Sequence, residues 1–163
     1  MPKTFPFAPK NCTLCPRQCH ADRTSGRVGF CGAGGTLKAA RAALHFWEEP
    51  CISGTRGSGT VFFSGCTLKC CFCQNYPISA EGLGKEITVE HLAQIFLDLQ
   101  AQGDPTTSTL SPPGQWQPWI IAALDEARAK GDCTCPSSAT PAATRRWRAW
   151  RRGAALSTSG WPI

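Results

Sequence analysis

The chain has 163 residues, with 17 Lys and Arg, 11 Asp and Glu, and a formal net charge of +6. That length suits one domain with a modest core. No apolar run is long enough to cross a membrane and the N-terminus has no signal-like apolar stretch, so the 11 cysteines read as metal ligands in a reducing, cytoplasmic compartment and not as disulfides.

In chain order, the first feature is a group of thiols. Cys12-Thr-Leu-Cys15-Pro-Arg-Gln-Cys19 is followed by Cys31 after a Gly-containing turn. Four thiols at this spacing can close a tetrahedral zinc site or hold an iron–sulfur cluster. A short segment with few large apolar residues needs such a staple to stay folded. His20 could replace one thiol, although a side chain next to Cys19 points more readily to solvent. Residues 36–50 are ambiguous between strand and helix. His45 and Glu48 suggest acid–base chemistry. Glu48 and Glu49 are adjacent and diverge in direction, so a loop-fixing role is favoured. Cys51 reads as a buried thiol.

Gly54-Thr-Arg-Gly57-Ser-Gly59 superficially resembles a phosphate loop, but it precedes a strand and has no Gly-Lys-Ser/Thr. It reads as the entry to residues 60–64, Thr-Val-Phe-Phe-Ser, which suit a buried parallel strand. Next comes Ser64-Gly-Cys-Thr-Leu-Lys-Cys-Cys-Phe-Cys-Gln-Asn75, in which Cys66, Cys70 and Cys73 form a C-x3-C-x2-C array. One short loop can point three thiolates at one centre. Three is one short of a closed zinc site and of the four that usually hold a cubane cluster. A cubane held by three keeps one iron open. The alternatives are a zinc knot that recruits Cys71 and, least favoured, a disulfide. Adjacent Cys70 and Cys71 would find it hard to reach one metal together.

Residues 88–102 predict a helix, capped by Thr88, lined by Val89, Leu92, Ile95, Phe96 and Leu99, and stopped by Gly103. His91 on it is expected in solvent. A second helix is predicted from about residue 118 to 130, with Gly131 as its stop.

The cysteine loop resembles the signature of the radical S-adenosylmethionine (SAM) enzymes. Glu48-Glu49-Pro50-Cys-Ile-Ser-Gly54, Gly57-Ser-Gly-Thr-Val-Phe-Phe-Ser-Gly65 and Phe72-Cys-Gln-Asn75 are similar to the branch related to pyruvate formate-lyase activating enzymes, and Cys12-x2-Cys-Pro-Arg-x-Cys19 shares in the resemblance. The resemblance implies an α/β fold: a cysteine-rich segment over residues 1–50, part of a TIM-like barrel over 51–131, and a tail over 132–163 that reads as disordered. It implies that Cys66, Cys70 and Cys73 hold a [4Fe-4S] cluster whose open iron chelates the amino and carboxylate groups of SAM. Cys71 is then a bystander. Phe72 would pack near the adenine, and Asn75 would bind the cofactor or shape the loop. The activity implied is reductive cleavage of SAM to methionine and a 5′-deoxyadenosyl radical, which abstracts hydrogen from a substrate such as a protein glycine. A reductant such as flavodoxin or ferredoxin is implied as partner. The cofactors carry the chemistry and the protein supplies placement.

The β/α pattern then breaks. Residues 104–118 contain four prolines and no apolar run, a poor central strand. Bases encoding residues 105–111, read two positions on, can spell H-N-I-N-L-V. Bases from Asp132 onward can likewise give L-H-L-P-I-V and then C-N-S-G-G-Y-E. Both resemble strand segments of the family, which suggests a disturbed reading frame, with residues 119–131 in the original one. A closed barrel of this kind takes about six β/α units, so the chain is expected to be truncated and catalytically crippled.

Two other function classes stay open. One is a non-catalytic zinc- or iron–sulfur-binding module. The other is nucleic-acid or anionic-membrane binding through Arg145-Arg-Trp-Arg-Ala-Trp-Arg-Arg152, where cations and rings interleave. Residues 132–163 carry five Arg against one Asp, and the frame disturbance accounts for that composition without a function.

Overall fold

A computed structural model describes residues 6–47, 55–102, 104–109 and 113–130. Its centre is a four-stranded sheet of order β3-β1-β2-β4, with β1 at Lys38–His45, β2 at Ser58–Phe63, β3 at Lys85–Glu86 and β4 at Asp104–Thr109. Strands β1 and β2 are antiparallel, with a register irregularity between Ala39 and Arg41. β3 extends β1 antiparallel, and β4 lies parallel to β2. Helices α1 (Tyr76–Ser79), α2 (Val89–Gln102) and α3 (Gln117–Lys130) complete the described elements.

β2 is the central strand. Its Val61 and Phe63 are fully buried, as are Ser58 and Thr60 on alternate positions, so both faces are covered. Its short run of β-branched and aromatic residues matches that environment. Leu92, Phe96 and Leu99 of α2 and Trp119, Ile120 and Leu124 of α3 join Val61, Phe63, Leu37 and Trp116 in one core. In α2 the buried residues recur at helical spacing, and the Thr88 hydroxyl accepts the His91 N–H at 3.1 Å as an N-cap. His91 itself is exposed. α3 carries Pro118 in its first turn and Arg128 and Lys130 in its last, where a missing N–H and positive charge are both tolerated best.

Two stretches take their state from the sheet. Residues 36–50, ambiguous in sequence, form β1 over Lys38–His45. Pairing with β2 on one side and β3 on the other overrides the helix propensity of their alanines. Residues 104–109, read as a poor central strand, do pair with β2. Pro105 is accommodated because β4 is the last strand in the sheet, where a missing N–H can face away from the ladder. The register jumps from Ser58↔Asp104 to Gly59↔Thr107, so Pro105 falls within an irregularity that removes it from regular pairing. Glu48, Glu49, Cys51, Gly103, Gly131 and the tail from 132 lie outside the described residues.

β2, the loop after it, α2 and β4 thus form one β-α-β unit. Among the described residues no helix is long and apolar enough to cross a membrane. Phe96 is 1% exposed at the centre of the core. Phe96→Ala should therefore cost ~3–5 kcal/mol, read as a lower urea midpoint at unchanged slope.

Candidate metal centre

The cysteine loop leaves the C-terminal end of β2, and its entrance is held from four directions. Ser64 N–H donates to Lys38 O at 3.0 Å, and Ser64 Oγ to Leu83 O at 2.6 Å. Trp116 Nε1 donates to Ser64 O at 2.8 Å, and Gln115 Nε2 to Gly65 O at 2.9 Å. Gly65 N–H reaches Ile78 O at 2.9 Å, and Cys66 N–H reaches Cys31 O at 3.1 Å. The backbone N–H and C=O groups of Ser64 and Gly65 and the N–H of Cys66 are all satisfied, which makes the loop entrance stiff. Gly65 is at φ +87°, and a Cβ there would stand 2.5 Å from Cys31 O. Both facts require glycine.

Beyond Gly65 the loop turns through Lys69 at φ +50°. Cys66 is buried, Cys70 and Cys73 are half-buried, and Cys71 is exposed. Leu68 N–H points at Cys66 Sγ at 3.4 Å, and Ser79 Oγ donates to Cys73 Sγ at 3.3 Å. Such donors stabilise thiolate and tune a metal bound to it. Cys73 N–H bonds Cys70 O and Tyr76 N–H bonds Cys73 O, so the last two thiols of the array sit on successive turns leading into α1. Asn75 is the N-cap residue of α1 but makes no side-chain cap bond, and it is exposed. Phe72 is 84% exposed. An open cleft of about 400 Å³ lies beside the loop entrance, with Cys31, Lys38, Ser64, Gly65, Glu86 and Trp116 among its lining.

The N-terminal thiols pack against this loop. Cys12 and Cys31 are buried, and Cys15 and Cys19 are half-buried. Backbone bonds Cys12 N–H to Ala21 O, His20 N–H to Cys12 O and Gln18 N–H to Cys15 O fold the segment into tight turns, with Gln18 and His20 at positive φ. The backbone of Ala21 pulls the Cys19 thiol below its usual pKa, whereas burial pushes that of Cys31 up. His20 is exposed, with Nδ1 2.6 Å from Asn11 Oδ1 and so turned outward. Arg17, inside the Cys-Pro-Arg-x-Cys run, donates from Nε to Thr67 O at 3.0 Å and lies over Phe30. Among the described residues, no group of three or more His, Cys, Asp or Glu side chains already stands around a common metal position.

His45 is half-buried, stacks on Phe62 and accepts the Trp47 N–H at Nδ1, a local loop-fixing arrangement. Sequence reasoning missed Ser79, Arg23, Gln115 and Trp116. Ser79 lies only six positions after Cys73, so a hydroxyl near the array was a findable signal. Gln115 and Trp116 act across 50 and 52 residues, and no local pattern announces them.

No family model matches the chain. Over 78 residues the chain is 38% identical to an uncharacterized protein of Methanocaldococcus jannaschii, a match that covers 48% of this chain and 22% of that protein. The chain therefore spans less than a quarter of that curated relative. No solved structure matches.

Gly65→Ala should cost about 1–3 kcal/mol from its backbone conformation alone, and more from the collision with Cys31 O. Gly26 has φ +85° with nothing within 4 Å of a Cβ. Gly26→Ala is thus the control, and the two thermal shifts should differ by the contact. Equal shifts would show that Cys31 yields freely.

Proposed function

We propose that the Cys66 loop holds a [4Fe-4S] cluster through Cys66, Cys70 and Cys73, and that the chain derives from a radical SAM enzyme related to the pyruvate formate-lyase activating enzymes. The supporting observation is the loop itself. Three spaced thiols follow a buried strand that pairs antiparallel with β1 and parallel with β4, two of their sulfurs receive N–H or O–H bonds, and the fourth nearby thiol, Cys71, faces solvent. A donor set of three thiols fits a cubane with one open iron better than it fits a four-ligand zinc site. Bound there, the cluster would supply an electron to the sulfonium of SAM for reductive cleavage.

The chain's own residues supply placement. The bonds at Ser64, Gly65 and Cys66 fix the first thiol against the core. The adjoining cleft reaches the loop entrance at Ser64 and Gly65 but is lined by none of the three thiols, so SAM held at the cluster would lie against the loop itself. Phe72 and Asn75, exposed on the loop and at the start of α1, are the residues available to lie against its adenosyl part. The exposed loop also suits docking of a small reductant such as flavodoxin or ferredoxin. The β-α-β unit at β2–β4 is the repeating unit of the barrel that this reading requires.

The test is anaerobic reconstitution of the full chain, with iron and sulfide counted as the excess over a variant carrying Cys66→Ala, Cys70→Ala and Cys73→Ala together. The excess should be about four irons and four sulfides. Cys66→Ala, Cys70→Ala or Cys73→Ala should each abolish that excess, and Cys71→Ala should not. Zinc without iron, or equal loss from Cys71→Ala, would sink the assignment. 5′-Deoxyadenosine formed per cluster under dithionite should be low. It should rise when the reading frame of residues 104–118 and 132–163 is restored, since small misplacements of SAM cost large rate factors.

A further inference from the structure

We infer that Cys12, Cys15, Cys19 and Cys31 close around one tetrahedral zinc ion, and that the buried guanidinium of Arg23 is the countercharge of that tetrathiolate site. This site is separate from the Cys66 loop and does not rest on the radical SAM reading.

Cys19 and Cys31 stand together, and Cys12 and Cys15 lie on the same folded segment, although no three of the four already surround a common position. A methyl group placed at Gly29 would stand 3.3 Å from Cys19 Sγ and 3.5 Å from Cys31 Sγ, so the two sulfurs flank a single point. Cys12 and Cys19 are joined through the turn in which Cys12 N–H bonds Ala21 O and His20 N–H bonds Cys12 O. The backbone that carries them is fixed by turns at Cys12, Cys15 and Gly32. Closing the site is left to rotation of cysteine side chains between staggered rotamers.

Arg23 is the independent observation. It is 0% exposed, and its ring-like plane lies 4.9 Å from Trp116 and 4.7 Å from Trp119. Nε donates to Gly34 O and Nη1 to Gln115 O, each at 2.7 Å, while Nη2 has no hydrogen-bond partner. Burial disfavours its charge, and the titratable groups nearest to it are the thiols of Cys12, Cys31 and Cys19. A buried cation facing neutral thiols would be left uncompensated, a costly arrangement. Four thiolates around a divalent ion carry two negative charges, so the same cation facing that site is compensated. Four sulfur ligands also match the closed geometry of structural zinc, which the three-thiol loop does not.

The site has a structural task. Residues 6–35 place few large side chains in the core, and Val28 and Phe30 are largely exposed. A metal supplies the order that apolar burial does not. Through Cys31 O to Cys66 N–H and Arg17 to Thr67 O, that order is passed to the second loop.

The experiment uses the full chain carrying Cys66→Ala, Cys70→Ala and Cys73→Ala, so its outcome is independent of any cluster at that loop. Purified from zinc-supplemented medium, it should hold about one zinc, with X-ray absorption showing four sulfurs at about 2.3 Å. Adding Cys12→Ser, Cys15→Ser, Cys19→Ser and Cys31→Ser should remove the zinc. In the unmodified chain, which needs no variant to fold, the four N-terminal thiols should resist iodoacetamide until a chelator is added. Arg23→Met should weaken zinc binding about tenfold in competition with a chromophoric chelator. Absence of metal, iron with sulfide in place of zinc, zinc retained after the serine substitutions, or free alkylation of the four thiols would overturn the site. Unchanged zinc affinity in Arg23→Met would overturn the role of Arg23.

Discussion

A single buried guanidinium joins the parts of this molecule that sequence keeps farthest apart. Arg23 reaches from the N-terminal thiol segment to the carbonyl of Gln115, just before α3, while its Nε holds Gly34. The neighbouring side chains then continue the connection. Gln115 and Trp116 turn their polar hydrogens onto Gly65 O and Ser64 O, where the cysteine loop begins. The thiol segment, the end of β2 and the start of α3 are therefore one network of buried polar bonds. Such networks specify a unique arrangement when satisfied and are costly when one member is lost.

The arrangement explains why the cysteine loop can be both irregular and ordered. Its entrance rests on a strand with both faces buried, and each carbonyl there meets a donor from another element. Farther along, order gives way to exposure: Leu68, Phe72 and Tyr76 present apolar surface to solvent. The rigid half positions Cys66, and the exposed half leaves room for whatever approaches Cys70 and Cys73. The contrast between the two halves is the usual division in a site built on a scaffold, with placement from the core and access from the loop.

Much of this was legible in the residues. The strand after Gly59 and the helix after Thr88 announce themselves by β-branched clustering, by helical periodicity and by a cap. The two thiol groups announce themselves by spacing. β1 was not legible, because alanine-rich stretches have no strong period and take their state from neighbours. β4 was not legible either, because the rule against proline in strands is a rule about interior pairing and β4 sits last in the sheet. Arg23 was invisible for a different reason. A lone arginine carries no pattern, and its burial depends on partners up to 92 positions away. The ranking of Cys71 below its neighbours came from resemblance alone.

The span of that Arg23–Gln115 bond has a consequence for synthesis. At about 5–20 residues per second, a ribosome needs about 5–20 s to make the 92 residues that separate the two partners. During that interval the N-terminal thiols have emerged but cannot receive the guanidinium in its final place, because the carbonyl and indoles that hold it do not yet exist. Until then these cysteines belong to an open nascent chain, exposed to oxidants and to any metal in the surrounding fluid. Their safe maturation depends on the reducing power of that fluid, not on the fold that later shelters them.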